Sequence, residues 1–261
     1  MSLGIDIKGK RVFLLGSSGV LGRVHAYKLH EQGAKVIIAD KPGSGVHEQA
    51  QELGIFGLEI DVSDEASIIS GVQEATKYYG GLDGAIYNAA ITSEGLAAYG
   101  KTTYSFRDYP LDLWKKAIDI NLTGAFIFAR EIGDELINSG NGSLINISSI
   151  YGVVGPDHRI YDDQEFQTFP AYSASKAGII GLTRWIATLW AKKGVRVNCV
   201  SPGGIFNGHN KSFSESYANR VPIGRMANKD EITGMLIYLL SDSSKYCTGQ
   251  NFIIDGGLTA W

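Results

Sequence analysis

The sequence predicts a single α/β domain spanning residues 1–261, built on a doubly wound parallel sheet of about seven strands with helices on both faces. Three observations predict it. Short apolar runs alternate with longer segments of helical period from one end of the chain to the other. Those apolar runs are continuous rather than alternating in polarity, as strands are when both faces of a sheet are covered. No internal repeat, low-complexity tract or linker divides the chain.

Taken in order, the strand candidates are residues 11–15, 35–39, 55–60, 84–87, 143–147, 196–200 and 251–254. Helices are expected over 20–32, 65–79, 111–138, 171–193 and 229–240. Two connections, 92–110 and 155–170, are longer than a simple turn requires, and long loops in a compact domain more often carry function than not.

Composition narrows the function classes. Hydrophobic residues make up 44% and charged residues 20%, the balance of an ordinary globular protein. The net charge is −3 with no basic block, so nucleic acid and an anionic membrane surface are not expected partners. Two cysteines, Cys199 and Cys247, cannot make a disulfide framework, and a cytoplasmic location is expected. Nothing reads as a signal peptide or approaches the roughly 20 apolar residues of a membrane span. No cluster has metal-ligand spacing, so no metal is expected, and His25, His30 and His47 are expected on the surface.

Between the first strand and first helix runs Gly16-Ser17-Ser18-Gly19-Val20-Leu21-Gly22. Glycines here allow a tight turn and let a pyrophosphate approach backbone N–H groups at a helix N-terminus. Gly16, Ser18, Gly19, Val20, Leu21 and Gly22 are therefore candidate cofactor contacts. Asp40 ends the second strand, 24 residues after Gly16, where a carboxylate can take the adenosine ribose hydroxyls. The same carboxylate repels a 2′-phosphate by roughly 4 kcal/mol per charge pair at ~4 Å and an effective dielectric near 20. NAD is thus expected in preference to NADP. Asp61-Val62 after the third strand reads either as an adenine contact or, for the aspartate, as an N-cap to the following turn.

Tyr172 and Lys176 lie four residues apart at the start of a predicted helix, so phenol and ammonium share one face. A free phenol, with a pKa near 10, is a poor base at neutral pH. Bringing it into the neutral range requires roughly 3–4 kcal/mol, which one cation at about 4 Å supplies in order of magnitude. Alone, this spacing occurs often on solvated helices.

It does not stand alone. The glycine loop, Tyr87-Asn88-Ala89-Ala90, Asn121-Leu122-Thr123-Gly124, Ile145-Asn146-Ile147-Ser148-Ser149, Ser201-Pro202-Gly203-Gly204-Ile205, and Thr248-Gly249-Gln250 with Asp255-Gly256-Gly257 follow one another in order. Over nearly its whole length the chain resembles the short-chain dehydrogenase/reductase family, classical type, whose fold is Rossmann-like. The resemblance implies an NAD(P)-dependent oxidoreductase acting on CH–OH groups. It implies Tyr172 as general acid/base, Lys176 as its electrostatic partner and a ribose contact, and Ser149 on the substrate oxygen. It also implies Asn121 as holder of a proton-relay water. Ser148 is the alternative should the serine register be displaced by one. Asn88, Ala89, Pro202, Gly203, Ile205 and Asn207 are implied cofactor contacts, with Tyr172 and Lys176. In three places the chain departs from the pattern: the loop's middle glycine falls one residue early at Gly19, Ala90 replaces a glycine, and Asn207 stands where many members carry threonine.

The gap from Ser149 to Tyr172 is 23 residues, longer than the family's commonest one, with the extra residues falling in 155–166. A polar segment at the carboxyl ends of the strands lies where such sheets bind ligands. It suits a sugar, sugar acid or other polar carbohydrate derivative. Arg159 and His158 are candidate substrate contacts, or else a solvated loop or a subunit contact. Residues 206–213 are expected as a lid, with His209 and Asn210 toward the substrate. A 3-oxoacyl-thioester reductase is the enzymatic alternative, and a catalytically silent NAD-binding scaffold or sensor the non-enzymatic one. The apolar segment 251–261 reads as a subunit contact, and the resemblance implies a homo-oligomer, tetramer or dimer.

Overall fold

Seven parallel strands form one sheet in a computed structural model that describes residues 5–97, 104–161 and 167–261. The chain order is β1 (Arg11–Leu15), α1 (Val20–Glu31), β2 (Lys35–Asp40), α2 (Val46–Leu53), β3 (Phe56–Glu59), α3 (Glu65–Tyr79), β4 (Gly84–Tyr87) and α4 (Ser93–Ala97). It continues with α5 (Leu111–Ile118), α6 (Gly124–Asn138), β5 (Ser143–Ile147), α7 (Pro170–Trp190), β6 (Arg196–Pro202), α8 (Lys211–Ala218), α9 (Thr233–Leu240) and β7 (Asn251–Ile254). Across the sheet the strands run β3-β2-β1-β4-β5-β6-β7. Strand order therefore reverses between β1 and β4, and the crevice at their carboxyl ends is where doubly wound sheets bind ligands.

Alternate residues of each strand enter opposite layers. Phe13 and Leu15 of β1 join the core beneath α3, α6 and α7 with Phe128, Ile132 and Ile179. Val12 and Leu14 join the layer beneath α1, α2 and α9 with Leu29, Ala50 and Leu236. Every residue of β4 and of β5 is buried, which explains their unbroken apolar character.

All seven predicted strands are present; the helices differ more. The long helix expected over 111–138 is interrupted at Asp119–Thr123 by one π-helical turn, which carries Asn121. Such turns widen the helix by one residue and occur often at functional sites. α2 and α8 were not anticipated. Each is eight residues long; α2 lies between left-handed glycines 45 and 54, and α8 begins at the N-cap Asn210.

His25 corrects an expectation. It is fully buried, not on the surface, and its Nδ1 lies 2.8 Å from Thr233 Oγ1 of α9. Its position follows from the buried stripe Gly22, His25, Ala26 and Leu29 on α1, which has helical i, i+3, i+4, i+7 spacing. Burial lowers the His25 imidazole to about 4.

Candidate active site

The glycine turn leaves β1 at Gly16, whose φ of +95° belongs to the left-handed region. A Cβ on Gly16 would sit 2.3 Å from the Ala89 amide nitrogen, and one on Gly22 would sit 2.2 Å from the Gly16 carbonyl oxygen. These two glycines close the turn against β4 and α1. Gly19 differs: it is the N-cap of α1 with φ −78°, and a Cβ there would meet nothing within 4 Å. No side chain caps α1, so its first-turn N–H groups face that open space.

Asn88 locks the turn from the next strand, donating from Nδ2 to the Gly16 carbonyl at 2.6 Å. Asp40 receives the Ser18 N–H on Oδ2 at 2.7 Å and the Lys41 N–H on Oδ1 at 2.8 Å. Each carboxylate oxygen keeps a lone pair for a further donor. An open helix N-terminus with a carboxylate beside it fits the pyrophosphate and ribose of a dinucleotide.

Asp61 and Val62 do not reach the cavity at the carboxyl ends of the strands. The Asp61 carboxylate accepts the Ser63 hydroxyl at 2.6 Å and the Ser63 N–H at 2.9 Å, which hold it below the usual carboxylate range. Asp61 thus caps the turn after β3, as one of its two expected roles had it, and Asp64 caps α3. Val62 is buried in the core beside Gly124.

That cavity measures about 450 Å³. Its cofactor side is formed by Gly19, Val20, Leu21 and Asn88, and by Pro202, Gly203, Ile205 and Asn207 after β6. Ser149, Tyr172 and Lys176 share its floor. Gly16, Ser18, Gly22, Ala89 and Asp40 do not line it.

Ser149 follows β5 in extended conformation, and its Oγ accepts the Tyr151 N–H at 3.2 Å. Ser148 also borders the cavity, and donates its hydroxyl to the Lys176 carbonyl at 2.7 Å. The two serines are thereby distinguished: Ser149 faces Tyr172, and Ser148 ties β5 to α7. Lys176 is almost wholly buried, and its ammonium donates to the Ile147 carbonyl at 2.8 Å. Burial pulls that ammonium down to about 8. Burial pushes the Tyr172 phenol up, and a hydrogen bond with Ser149 opposes it.

Asn121 is fully buried, and its side chain is committed. Oδ1 accepts the Ile91 N–H at 2.7 Å, while Nδ2 donates to the Ile91 carbonyl at 3.3 Å and to Ser175 Oγ at 3.1 Å. Both amide protons are engaged, so the side chain clamps the β4 loop to α7 and has no donor left for a water.

The far wall of the cavity is rich in hydroxyls. Ser93, Tyr151, Tyr161 and Thr168 face it, with Asn207 and His209 opposite and Phe213 and Met226 as apolar backing. The Tyr151 and Tyr161 hydroxyls lie 2.9 Å apart. Neither tyrosine was singled out in the sequence. Tyr151 stands two residues from Ser149, a proximity that would have found it; nothing in the pattern marks Tyr161. His209 reaches the cavity as expected, with Nδ1 accepting the Asn207 N–H at 3.3 Å. Asn210 instead caps α8 by accepting the Phe213 N–H at 2.8 Å.

His158 and Arg159 do not reach this cavity. His158 is exposed on a single helical turn (His158–Tyr161), and Arg159 is paired with Asp157 at 2.7 Å beside a different cavity. Spacing alone could not tell which side of that turn faces the site; Ile160 and Tyr161 are its buried pair. The rest of the expected insertion, 162–166, lies outside the described residues, as do 98–103 of the other long connection. Among the described residues no group of acidic, histidine and cysteine side chains is arranged to hold a metal, and no helix is long and apolar enough to cross a membrane.

Comparison with known proteins agrees with this geometry. A family model described as enoyl-(acyl carrier protein) reductase matches residues 17–259. An NAD-dependent glycerol dehydrogenase of Listeria innocua is 30% identical over 261 residues, covering 97% of this chain and 95% of that protein. A 3-oxoacyl-[acyl-carrier-protein] reductase of Thermotoga maritima is also 30% identical, covering 97% and 98%. A short-chain dehydrogenase of Leptospira borgpetersenii, crystallised with bound NAD+, superimposes with a TM-score of 0.85 at 30% identity over 97% of this chain and 94% of that one. The chain belongs to the short-chain dehydrogenase/reductase family and is a nicotinamide-dependent oxidoreductase acting on CH–OH groups.

Proposed function

We propose that this enzyme interconverts a secondary alcohol and a ketone on a sugar or other polyhydroxylated carbohydrate derivative, with NAD as its preferred cofactor. The observation that carries the reading is the single cavity shared by Ser149, Tyr172 and Lys176 and walled by the hydroxyls of Ser93, Tyr151, Tyr161 and Thr168. A site built to hydrogen-bond hydroxyls rejects analogues that lack them, because its own polar groups are then left unpaired. Among the described residues facing the cavity, Lys176 is the sole lysine or arginine, and it is bonded to Ile147. The reacting end of the substrate is therefore read as neutral.

A bound nicotinamide would supply the hydride acceptor for the carbinol carbon. Tyr172 as phenolate takes the hydroxyl proton of the alcohol, and in the reverse direction returns it to the carbonyl oxygen. Ser149 donates to the same oxygen and stabilises the charge developing there. Lys176 keeps a positive charge beside the phenolate. Asn121 is a positioning residue, holding Ile91 and Ser175 in place around α7. Gly16, Ser18, Gly19, Val20, Leu21, Gly22 and Asp40 are read as the adenosine and pyrophosphate side of the cofactor site. Asn88, Ala89, Pro202, Gly203, Ile205 and Asn207 are read as the nicotinamide side.

A homo-oligomer, dimer or tetramer, is supported by Trp185 at 64% exposure and Leu189 one turn further along α7. Light scattering on the eluted protein tests this. The function is tested by following NAD reduction over a panel of neutral polyols and aldoses beside acetoacetyl-thioester reduction. Turnover of polyols is expected; brisk thioester reduction with inert polyols would contradict the reading.

A further inference from the structure

We propose that a second cavity, adjoining the reaction site, binds an anionic group (a carboxylate or phosphate ester) at the distal end of the substrate. This rests on the polyhydroxylated-substrate reading above and extends it: the reacting end is neutral and the far end negative.

The second cavity measures about 390 Å³. It shares Tyr151 and Tyr217 with the reaction cavity, so these two rings form the partition between them. Behind the partition stand Asp157, Arg159, Arg220 and Trp261. The Asp157 carboxylate accepts Arg159 Nε at 2.9 Å and Arg159 Nη2 at 2.7 Å, and it is also ion-paired with Arg220 Nη1. Two guanidinium groups thus share the one aspartate side chain among the described lining residues. Arg159 Nη1 and Arg220 Nη2 take no part in these bonds. Arginine donors in this planar arrangement suit a carboxylate or phosphate.

The remaining contacts fix the cluster. Trp261 donates its indole N–H to the Arg220 carbonyl at 3.2 Å, and the Tyr217 hydroxyl accepts the Gly204 N–H. Arg220 is held at 28% side-chain exposure, whereas Arg159 is 80% exposed and forms the outer lip. Asp157 and Arg159 both come from the extra segment between Ser149 and Tyr172. That segment thus supplies Tyr161 to the reaction cavity and a guanidinium to the adjoining one. Tyr151, which lines both cavities, is the side chain that a substrate reaching from one to the other would have to pass.

The test uses the full-length enzyme with sorbitol and sorbitol 6-phosphate as a matched pair. Wild-type enzyme is expected to favour the phosphorylated probe in kcat/KM by about tenfold or more, with the preference shrinking as salt is raised. Arg220→Gln and, separately, the exposed Arg159→Gln are expected to bring that ratio toward one through KM. Arg220→Lys should restore part of it. Adding inorganic phosphate separates the sources of the anion. Competition against the phosphorylated probe alone indicates a substrate-borne group, and an altered KM for sorbitol indicates a free anion. Binding is also read without turnover, as the rise in Tm given by sorbitol 6-phosphate over sorbitol. Inert polyols with an arginine-dependent rise in Tm would overturn the substrate reading and keep the anion site. Equal responses to both probes in wild type and arginine variants would overturn the anion site.

Discussion

The Lys176 ammonium lies 5.7 Å from the centre of the Tyr172 ring while donating to the Ile147 carbonyl. It therefore acts on the phenol through space from an anchored position. Tyr172 and Lys176 both line the cavity, so an ammonium there would favour a phenolate on Tyr172 through space. Lys176→Met is expected to lower kcat by at least about a hundredfold. It should also move the rising limb of the pH profile for alcohol oxidation to higher pH, because the phenol loses its cation. Steady-state kinetics across the pH range check both effects.

Gly19 and Gly22 are predicted to respond oppositely to the same substitution. Gly22→Ala would drive a Cβ to 2.2 Å from the Gly16 carbonyl oxygen, and a loss of thermal stability is expected. Gly19→Ala meets nothing and keeps an ordinary φ, so Tm should be almost unchanged. The new methyl would occupy the space in front of the α1 N-terminus, and NAD affinity is expected to fall by about tenfold or more. Calorimetry for binding and a thermal melt for stability separate the two outcomes.

Asp40 offers its carboxylate from the end of β2, held by the Ser18 and Lys41 N–H groups. Asp40→Ser removes the charge that repels a 2′-phosphate. The ratio of kcat/KM for NAD over NADP should fall by about two orders of magnitude, since a close charge pair is worth several kcal/mol before solvent screening. An unchanged ratio would show that Asp40 does not face the ribose.

His25 predicts a pH dependence of stability. Burial holds the imidazole at about 4 in the folded protein, against about 6.5 when unfolded. Between these values the unfolded chain binds more protons, so stability rises with pH through that window. Its full cost, about 3 kcal/mol, is present below pH 4 and absent above pH 6.5. Urea denaturation at several pH values should show the slope, and His25→Gln should flatten it.

The strands were legible because covered sheets leave continuous apolar runs. The positions Asn121, Ser149, Tyr172 and Lys176 were legible because their motifs follow one another in order. What sequence missed follows from three physical causes. The π-turn at Asp119–Thr123 keeps helical polarity, so periodicity alone reads straight through it. α8 is short and polar, and its cap at Asn210 was mistaken for a ligand contact. The direction of side chains within 155–161 depends on one helical turn, which sends Tyr161 inward and His158 outward. The burial of His25 is legible in the i, i+3, i+4, i+7 spacing of Gly22, His25, Ala26 and Leu29.

The account's central claim is that the Tyr172 hydroxyl carries the proton in a cavity that binds the cofactor independently of it. Tyr172→Phe, assayed for turnover and for NAD+ binding by calorimetry on the same preparation, tests this most directly. Turnover is expected to fall by about a thousandfold or more, with NAD+ affinity within about threefold of wild type. Retention of more than a few per cent of the activity would contradict the claim.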